Sequence, residues 1–203
     1  MPTIVAMPRE QLVIEGIVTT IGVDGQVNIA PMGPKVDRGF RTMRLRPFKT
    51  SQTYQNLKHH PEGVFHVVDD VLLLAQAAVG KIEPLPMMLM SDHVWGYILR
   101  DACRFYAFKV DHIDDTAERA EMDVSIVWDG RIRDHFGFNR AMHAVLEASI
   151  LATRVHMLPR EEILGELQRL APMVEKTGGA REKQAFEFLE SYVQNHQPAK
   201  VEE

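Results

Sequence analysis

The hydrophobic pattern of the sequence changes its period once, close to Gly137. Before that point apolar and polar residues alternate, and after it apolar residues recur at helical spacing. The alternation is clearest in one segment whose apolar face holds Ala120, Met122, Val124, Ile126 and Trp128. A period of two is typical of a half-buried antiparallel strand, and a period of about 3.6 is typical of a helix. The chain is therefore expected to fold as strands first and helices afterwards.

Six segments before Gly137 have the composition of strands, and two short ones have that of helices. The strands are expected at residues 12–21, 27–30, 40–46, 64–68, 103–112 and 117–128, and the helices at 51–58 and 71–80. Asp24-Gly25 predicts a type I′ hairpin turn, and residues 35–39 predict a polar turn. Pro31, Gly33 and Pro34 are expected to end strand pairing and to leave a free backbone edge. These features favour an α+β fold built on a small antiparallel β-barrel.

Three helices are expected after Gly137, at residues 139–157, 161–170 and 181–194. Asn139 can cap the first, and Pro172 with Gly178-Gly179 is expected to separate the second from the third. The sequence thus predicts a barrel domain at residues 1–136 and a helical C-terminal subdomain at residues 137–203.

The composition limits the classes of function. With 203 residues, 45% of them hydrophobic, the chain can form one compact domain or a domain with a small appendage. Its net charge of −5 gives no general attraction to nucleic acid or to an anionic membrane. No apolar run is long enough to span a bilayer and no signal peptide is visible, so a cytoplasmic protein is expected. The single Cys103 excludes an internal disulfide and is expected to be a buried, inert thiol.

The candidate binding segment lies at the start of the predicted helix at 51–58. It combines a cation with three hydroxyls, namely Lys49, Thr50, Ser51 and Thr53. The first turn of a helix has unpaired N–H groups and a positive dipole end, so this composition suits a phosphate. The densest positive cluster of the chain leads into it, and comprises Arg41, Arg44, Arg46 and Lys49. Two alternatives stay open, because Thr50 or Ser51 can be only the helix N-cap and the cations can be only a solvated surface.

Other site patterns are weak or absent in the sequence. It has no Walker lysine loop, no His-Glu-x-x-His and no Gly-x-Gly-x-x-Gly fingerprint. His143 and Glu147 have a spacing that two metal ligands could use, but a surface pair is the commoner outcome. Asp69-Asp70 is interpreted as the cap of the helix at 71–80 rather than as a metal site. No residue is identified as catalytic, since Ser51 has no adjacent base.

Several stretches resemble the FMN-binding split-barrel superfamily, namely VNIAPMG at 27–33, RPFKTSQTYQNL at 46–57 and GVFHVVDD at 63–70. The tail resembles one branch of it, a domain of unknown function related to flavin reductases, through FGFNRAMHAVLEASILATRVHML at 136–158 and VEKTGG at 174–179. The resemblance implies a flavin-reductase-like split barrel with a helical C-terminal extension, bound FMN and a homodimer. His66 departs from the pattern, because this position is often Asn in relatives.

The resemblance also implies how FMN is held. The turn at 46–53 would bind the phosphate, and the main chain at 28–32 would border the isoalloxazine. Arg140 would reach the flavin or its substrate, although it can also be a solvated residue beside the cap Asn139. The implied cofactor-binding residues are Asn28, Ile29, Ala30, Pro31, Met32, Arg46, Phe48, Lys49, Thr50, Ser51, Thr53 and Arg140.

The leading functional hypothesis is an FMN-dependent oxidoreductase that acts on a small soluble substrate, with reduced nicotinamide as a candidate hydride donor. The irregular segment at 84–90, with three methionines, is a candidate apolar wall for the pocket and can equally be core filler. A non-catalytic flavin carrier or sensor is the alternative that the sequence leaves open. A structural protein that has lost its cofactor is disfavoured, because the phosphate-turn residues are all present.

Overall fold

Ten antiparallel strands form two sheets in the computed structural model of the protein, which describes residues 11–196. In chain order the strands are β1 Gln11–Val13, β2 Gly16–Ile21, β3 Val27–Met32, β4 Lys35–Asp37, β5 Met43–Leu45, β6 Glu62–Val67, β7 Met88–Met90, β8 Tyr97–Leu99, β9 Arg104–Asp114 and β10 Glu121–Arg131. The larger sheet has the order β1-β4-β5-β10-β9-β6-β2-β3, and β7 pairs with β8 alone.

The eight-stranded sheet curls into a split barrel around an apolar core. The inward-facing residues include Val18, Leu45, Phe65, Phe108 and Met122, all fully buried. Helix α1, Gln52–His59, adds Tyr54 and Leu57 to the same core. The predicted antiparallel barrel is confirmed, and so is the inward direction of the stripe that contains Met122 and Val124.

The β2–β3 hairpin differs from the predicted type I′ turn. That turn needs positive φ at two central residues, but only Gly25, with φ of 77°, has it here. The Gly25 N–H donates to the carbonyl of Gly22 over 3.0 Å, and the side chain of Asp24 accepts from the N–H of Gln26 over 3.0 Å. The Asp24 side chain thus stabilises a longer loop, so the prediction of a two-residue turn was wrong.

Two further strand predictions need correction. β3 continues through Pro31 to Met32, because it lies at the edge of the sheet, where a missing N–H costs no ladder bond. The predicted turn at 35–39 is instead β4, paired with both β1 and β5. The turn follows β4, where a carboxylate oxygen of Asp37 accepts from the N–H groups of Arg41 and Thr42 over 2.6 and 3.1 Å.

The remaining helices are α2 Val71–Ala78, α3 Arg140–Ala152, α4 Arg160–Thr177 and α5 Ala180–Asn195. Asp70 and Asn139 cap α2 and α3 through their side chains, as predicted. α3 ends earlier than predicted, because Arg154 N–H turns back to the carbonyl of Leu151. α4 runs through Pro172, which was expected to end it, because Val174 continues the buried face beyond the proline.

Helix α2 joins the two parts of the chain. Val71, Leu72 and Ala75 share one apolar cluster with α3, α4 and α5. The two carboxylates before α2 add polar links, because Asp69 accepts from Arg133 and Asp70 accepts from Arg181 of α5. Hydrogen bonds from Arg133 hold the pKa of Asp69 well below its ordinary value. The predicted boundary between a barrel domain and a helical subdomain at residue 136 stays a prediction.

Within residues 11–196 no helix is long and apolar enough to cross a membrane.

His66 is a structural residue of the barrel wall. It is fully buried on β6 and bonds to the main chain at both ring nitrogens. Nδ1 lies 3.2 Å from the carbonyl of Ile17 on β2, and Nε2 accepts from the N–H of Leu99 on β8 over 3.1 Å. These partners require the neutral ring with the proton on Nδ1. Burial lowers the pKa of His66 to about 4, so the neutral ring is the form that stabilises the fold.

We predict that His66 makes the stability of the protein depend on mildly acidic pH. Because its pKa is lowered from 6.5 to about 4 in the folded state, its contribution is complete above pH 6.5. As the pH falls from 6.5 to 4, that contribution decreases by about 3 kcal/mol. Urea unfolding at pH 7 and pH 4.5 measures this change in the free energy of unfolding. His66→Gln should be less stable at pH 7 and lose less on acidification, whereas the exposed control His156→Gln should behave like the wild type. An equal loss in His66→Gln and wild type would contradict the assignment.

Candidate functional site

The predicted binding segment forms a tight turn between β5 and α1. It is attached to the β9–β10 connection by main-chain bonds, from Lys49 N–H to the carbonyl of Glu118 and from Ala120 N–H to that of Pro47. Phe48 is partly exposed, and the guanidinium of Arg119 stacks on its ring. The guanidinium carbon of Arg119 lies 4.0 Å from the centroid of the Phe48 ring. The position of the turn therefore depends on strands that come some seventy residues later in the sequence.

Ser51 is the N-cap of α1. Its hydroxyl donates to the carbonyl of Phe48 over 2.7 Å and accepts from the N–H of Tyr54 over 3.2 Å. Its carbonyl accepts the first regular helical bond, from Gln55 N–H, so the Ser51 side chain satisfies one of the unpaired donors of the first turn, that of Tyr54. The N–H groups of Gln52 and Thr53 have no acceptor among residues 11–196. The capping alternative is thus correct for Ser51, while two main-chain donors and the exposed Thr50 stay available to an anion.

Three of the four predicted cations are engaged within the protein. Arg41 pairs with Asp37 over 3.2 Å, and Lys49 Nζ donates to the carbonyl of Asp115 over 3.1 Å. Arg44 lies between two carboxylates of β10, at 2.7 Å from Glu121 and 2.6 Å from Asp123. The cluster is therefore not a common anion site, and most of its charge is neutralised locally.

Arg46 is the exception. Its Nε is buried and has no hydrogen-bond partner among the described residues. An unsatisfied buried donor costs free energy, so this nitrogen needs an acceptor that residues 11–196 do not provide. Arg46 directly precedes the turn, and a guanidinium is well suited to a phosphate or carboxylate.

Thr53 and Asn28 are brought together, although they are far apart in the sequence. Asn28 Nδ2 lies 3.0 Å from the hydroxyl of Thr53 and 3.2 Å from that of Thr20. These contacts attach α1 to β2 and β3 and place the turn beside the edge strand. Two side chains of the segment 28–32 pack in different clusters. Ile29 packs with Leu73 of α2, whereas Met32 packs in the barrel core. The outer main-chain edge of β3 is free of strand partners among the described residues, as expected.

Glu15 is a residue that no sequence signal indicated. It lies in the break between β1 and β2, and its carboxylate is 3.0 Å from the point where a Cβ of residue 33 would stand. Partial burial raises the pKa of Glu15, the carboxylate of Glu147 raises it further, and Arg46 opposes both. The break between β1 and β2, the end of β5 and helix α3 thus bring one guanidinium and two carboxylates near each other.

Two other sequence-predicted elements have no hydrogen bond or ion pair to the turn among residues 11–196. Arg140, the first residue of α3, is exposed and makes no hydrogen bond or ion pair with another described residue. Pro84, Pro86 and Met87 line a cavity of about 280 Å³ between α2 and α5, and none of its lining residues belongs to 28–53. Met87 thus lines this cavity, while Met88 packs against the cluster that contains Ile29 of β3, and a role of the segment as a wall of the binding pocket stays a prediction.

Metal and thiol chemistry find no support in the part of the chain that the structure describes. Within it, no three His, Cys, Asp or Glu side chains are grouped as metal ligands. Cys103 is buried, and burial together with the nearby Asp69 raises the pKa of its thiol to about 11. The prediction of a buried, inert thiol is confirmed.

The comparisons with known proteins agree with this fold. A family model described as the N-terminal domain of a protein of unknown function (DUF447) matches residues 14–133, and a second DUF447 model matches residues 139–191. None of the curated proteins compared matches the sequence.

Solved structures of other proteins have a similar fold. An FMN-bound protein from Methanosarcina mazei, assigned to the same family model, is 23% identical, with a TM-score of 0.77 over 90% of this chain and 96% of its own. The flavin reductase of styrene monooxygenase from Pseudomonas putida is 8% identical, with a TM-score of 0.51 over 60% of this chain and 82% of its own. Flavoredoxin from Desulfovibrio vulgaris is 12% identical, with a TM-score of 0.50 over 64% of this chain and 77% of its own. The barrel therefore has the flavin-reductase-like split-barrel fold.

Proposed function

Because the chain belongs to the DUF447 family of proteins of unknown function, we propose that it binds FMN at the turn before α1, as its Methanosarcina relative carries FMN. The observation that carries the proposal is Arg46, whose buried Nε has no partner within the described residues. A phosphate oxygen is the acceptor that this donor lacks. The unpaired N–H groups of Gln52 and Thr53 add two more donors on the same turn.

The residues present fit a flavin phosphate in a defined way. Arg46, Thr50, Thr53 and the N–H groups of the first helical turn would hold the phosphate. Lys49 and Ser51 would act indirectly, because their side chains shape the turn through Asp115 and Phe48. The free edge of β3 at 28–32 would offer main-chain hydrogen bonds to a flat ring. Bound FMN would supply hydride or electron transfer, and the chain would supply binding and electrostatics.

We further propose an oxidoreductase that acts on a small soluble substrate. The flavin-reductase-like fold supports it, since flavin reductase and flavoredoxin share the barrel. A non-catalytic flavin carrier or sensor is the alternative, and it is favoured by the fact that no acid–base group is identified as catalytic. The cytoplasmic location expected from the sequence stays a prediction.

A homodimer, which the resemblance implies, is also proposed. The β10 stripe cannot supply it, because Met122 and Val124 are buried inside the barrel. The segment before α3 is a better candidate, since Phe136 is 74% exposed and Phe138 is 100% exposed. Two aromatic side chains in water at one junction are typical of a protein–protein contact.

The first test measures flavin binding. The protein should bind FMN more tightly than riboflavin, and Arg46→Gln should weaken FMN binding about tenfold, since one charge-assisted bond is lost. Arg44→Gln is the matched control, because Arg44 lies two residues away on the same segment but is already paired with Glu121 and Asp123. It should leave the FMN affinity nearly unchanged. Equal affinity for FMN and riboflavin in the wild type would exclude a phosphate site.

The second test measures mass. Light scattering should give about twice the 23.1 kDa mass of one chain. Replacing Phe136 and Phe138 together by Ser should shift the protein towards the monomer, because burial of their rings would be lost. Met157→Ser changes another exposed apolar residue, 71% accessible, and should leave the dimer intact. A wild-type monomer that still binds FMN would show that one chain completes the site.

The third test distinguishes the oxidoreductase from the carrier. Stopped-flow absorbance under anaerobic conditions should show slow bleaching of the bound flavin after mixing with NADH or NADPH. The reaction should be slow because the sequence contains no nucleotide fingerprint to hold the donor. If dithionite reduces the flavin but neither nicotinamide does so over many minutes, the nicotinamide-dependent reductase is excluded.

A further inference from the structure

A buried polar network connects the proposed phosphate turn to the barrel wall. At its centre is the hydroxyl of Thr20, a fully buried residue of β2. Thr20 Oγ1 accepts from Asn28 Nδ2 over 3.2 Å and from Asn56 Nδ2 over 3.0 Å. The Oδ1 of Asn56 in turn accepts from Gln52 Nε2 over 2.7 Å. These side chains connect three elements, β2, β3 and α1, in addition to the main-chain pairing of β2 with β3.

The network determines the direction of the Asn28 amide. Both Nδ2 hydrogens of Asn28 are used, one for Thr20 and the other for Thr53 over 3.0 Å. The oxygen of Thr20 already accepts two hydrogen bonds, so its lone pairs are filled. Asn56 is only 3% exposed and is oriented by Gln52, which leaves Asn28 little freedom to turn its amide.

This direction has a consequence for Thr53. Because the Thr53 hydroxyl accepts from Asn28, its own hydrogen is available to donate. The usual acceptor for a helical threonine, the carbonyl four residues earlier, is that of Lys49, and it accepts from Gln55 Nε2 over 2.9 Å. No other described residue accepts from the Thr53 hydroxyl. Thr53, which is 2% exposed, is thus a hydrogen-bond donor without an acceptor among residues 11–196, on the helical turn where the N–H groups of Gln52 and Thr53 are also unpaired.

We propose that Thr20, Asn28 and Asn56 are positioning residues that keep the Thr53 hydroxyl as a donor to the phosphate of the flavin. They therefore determine the preference for a phosphorylated flavin over riboflavin. This inference rests on the proposed function, because it needs the phosphate at the start of α1. It assigns to the side chain of Asn28 a role that the main-chain contact at 28–32 does not include.

The test uses the ratio of riboflavin to FMN dissociation constants, which a purely structural role would not change. In Thr20→Val the two amides lose their common acceptor, and FMN should bind about fivefold more weakly while riboflavin binding is unchanged. Thr20→Ser keeps the hydroxyl and should restore the wild-type ratio. The matched control is Thr19→Val, because Thr19 is also fully buried on β2 but its hydroxyl donates to the carbonyl of Tyr97. It should leave the ratio unchanged.

A double-mutant cycle then tests whether Thr20 affects FMN binding through the hydroxyl of Thr53. Thr53→Val should weaken FMN binding about tenfold, and the double variant with Thr20→Val should be no weaker than Thr53→Val alone. Additive losses would overturn the proposal, because Thr20 would then act by another path. An unchanged ratio in Thr20→Val, with FMN still preferred by the wild type, would also overturn it.

Two further outcomes are decisive. A wild type without preference for FMN would overturn the proposed phosphate site itself, and so is distinguishable from failure of the network. If Thr20→Val does not fold, Asn28→Ala replaces it, since Asn28 is only partly buried and lies at the edge of the sheet. It should lower the FMN preference about as much, and an unchanged preference there would reject the positioning role.

Discussion

The docking of α1 against the β2–β3 hairpin decides where the candidate binding groups lie. The contact is partly polar, with Thr20, Thr53 and Asn56 each at most 3% exposed. Buried amides and hydroxyls cost about 1–3 kcal/mol each if they are left without partners, so this network stabilises α1 only when all of its bonds form. One arrangement of α1 satisfies them together. The first turn of the helix is thereby held beside the edge strand β3.

Charge pairing selects Arg46 from a cluster of similar residues. Glu121 and Asp123 of β10 surround Arg44, and Asp37 binds Arg41, so these two cations stabilise the sheet. The buried Nε of Arg46 has no such partner among residues 11–196. Arg46 and Arg44 lie on the same β5 segment, and only the carboxylates that the neighbouring strand brings close distinguish them. In the proposed function this difference separates a binding residue from a structural one.

The helical tail and the barrel depend on each other through α2. Its apolar residues belong to the core of α3, α4 and α5, while its cap Asp70 and the preceding Asp69 bind Arg181 and Arg133. Both pairs are partly exposed, and breaking either would leave a carboxylate with fewer partners at the junction. The tail therefore does more than extend the chain, since it covers the outer side of a helix that also packs on β3. A change in the tail can reach the edge strand through α2.

The sequence by itself determined that strands precede helices, that Asp70 and Asn139 are caps, and that the first part of the β10 stripe, Ala120, Met122 and Val124, is buried. These features depend on local periodicity and on single side chains near their own backbone. It also indicated the turn before α1 by its composition. Tertiary structure decided which side chains of that turn are engaged in hydrogen bonds and ion pairs within the protein and which are not. Pairing across the sheet engaged Arg44, the β9–β10 connection engaged Lys49, and the β2–β3 hairpin oriented Thr53. Helix α4 likewise continued through Pro172, because burial beyond the proline outweighed a local signal. Such choices depend on partners distant in the sequence, and no local pattern records them.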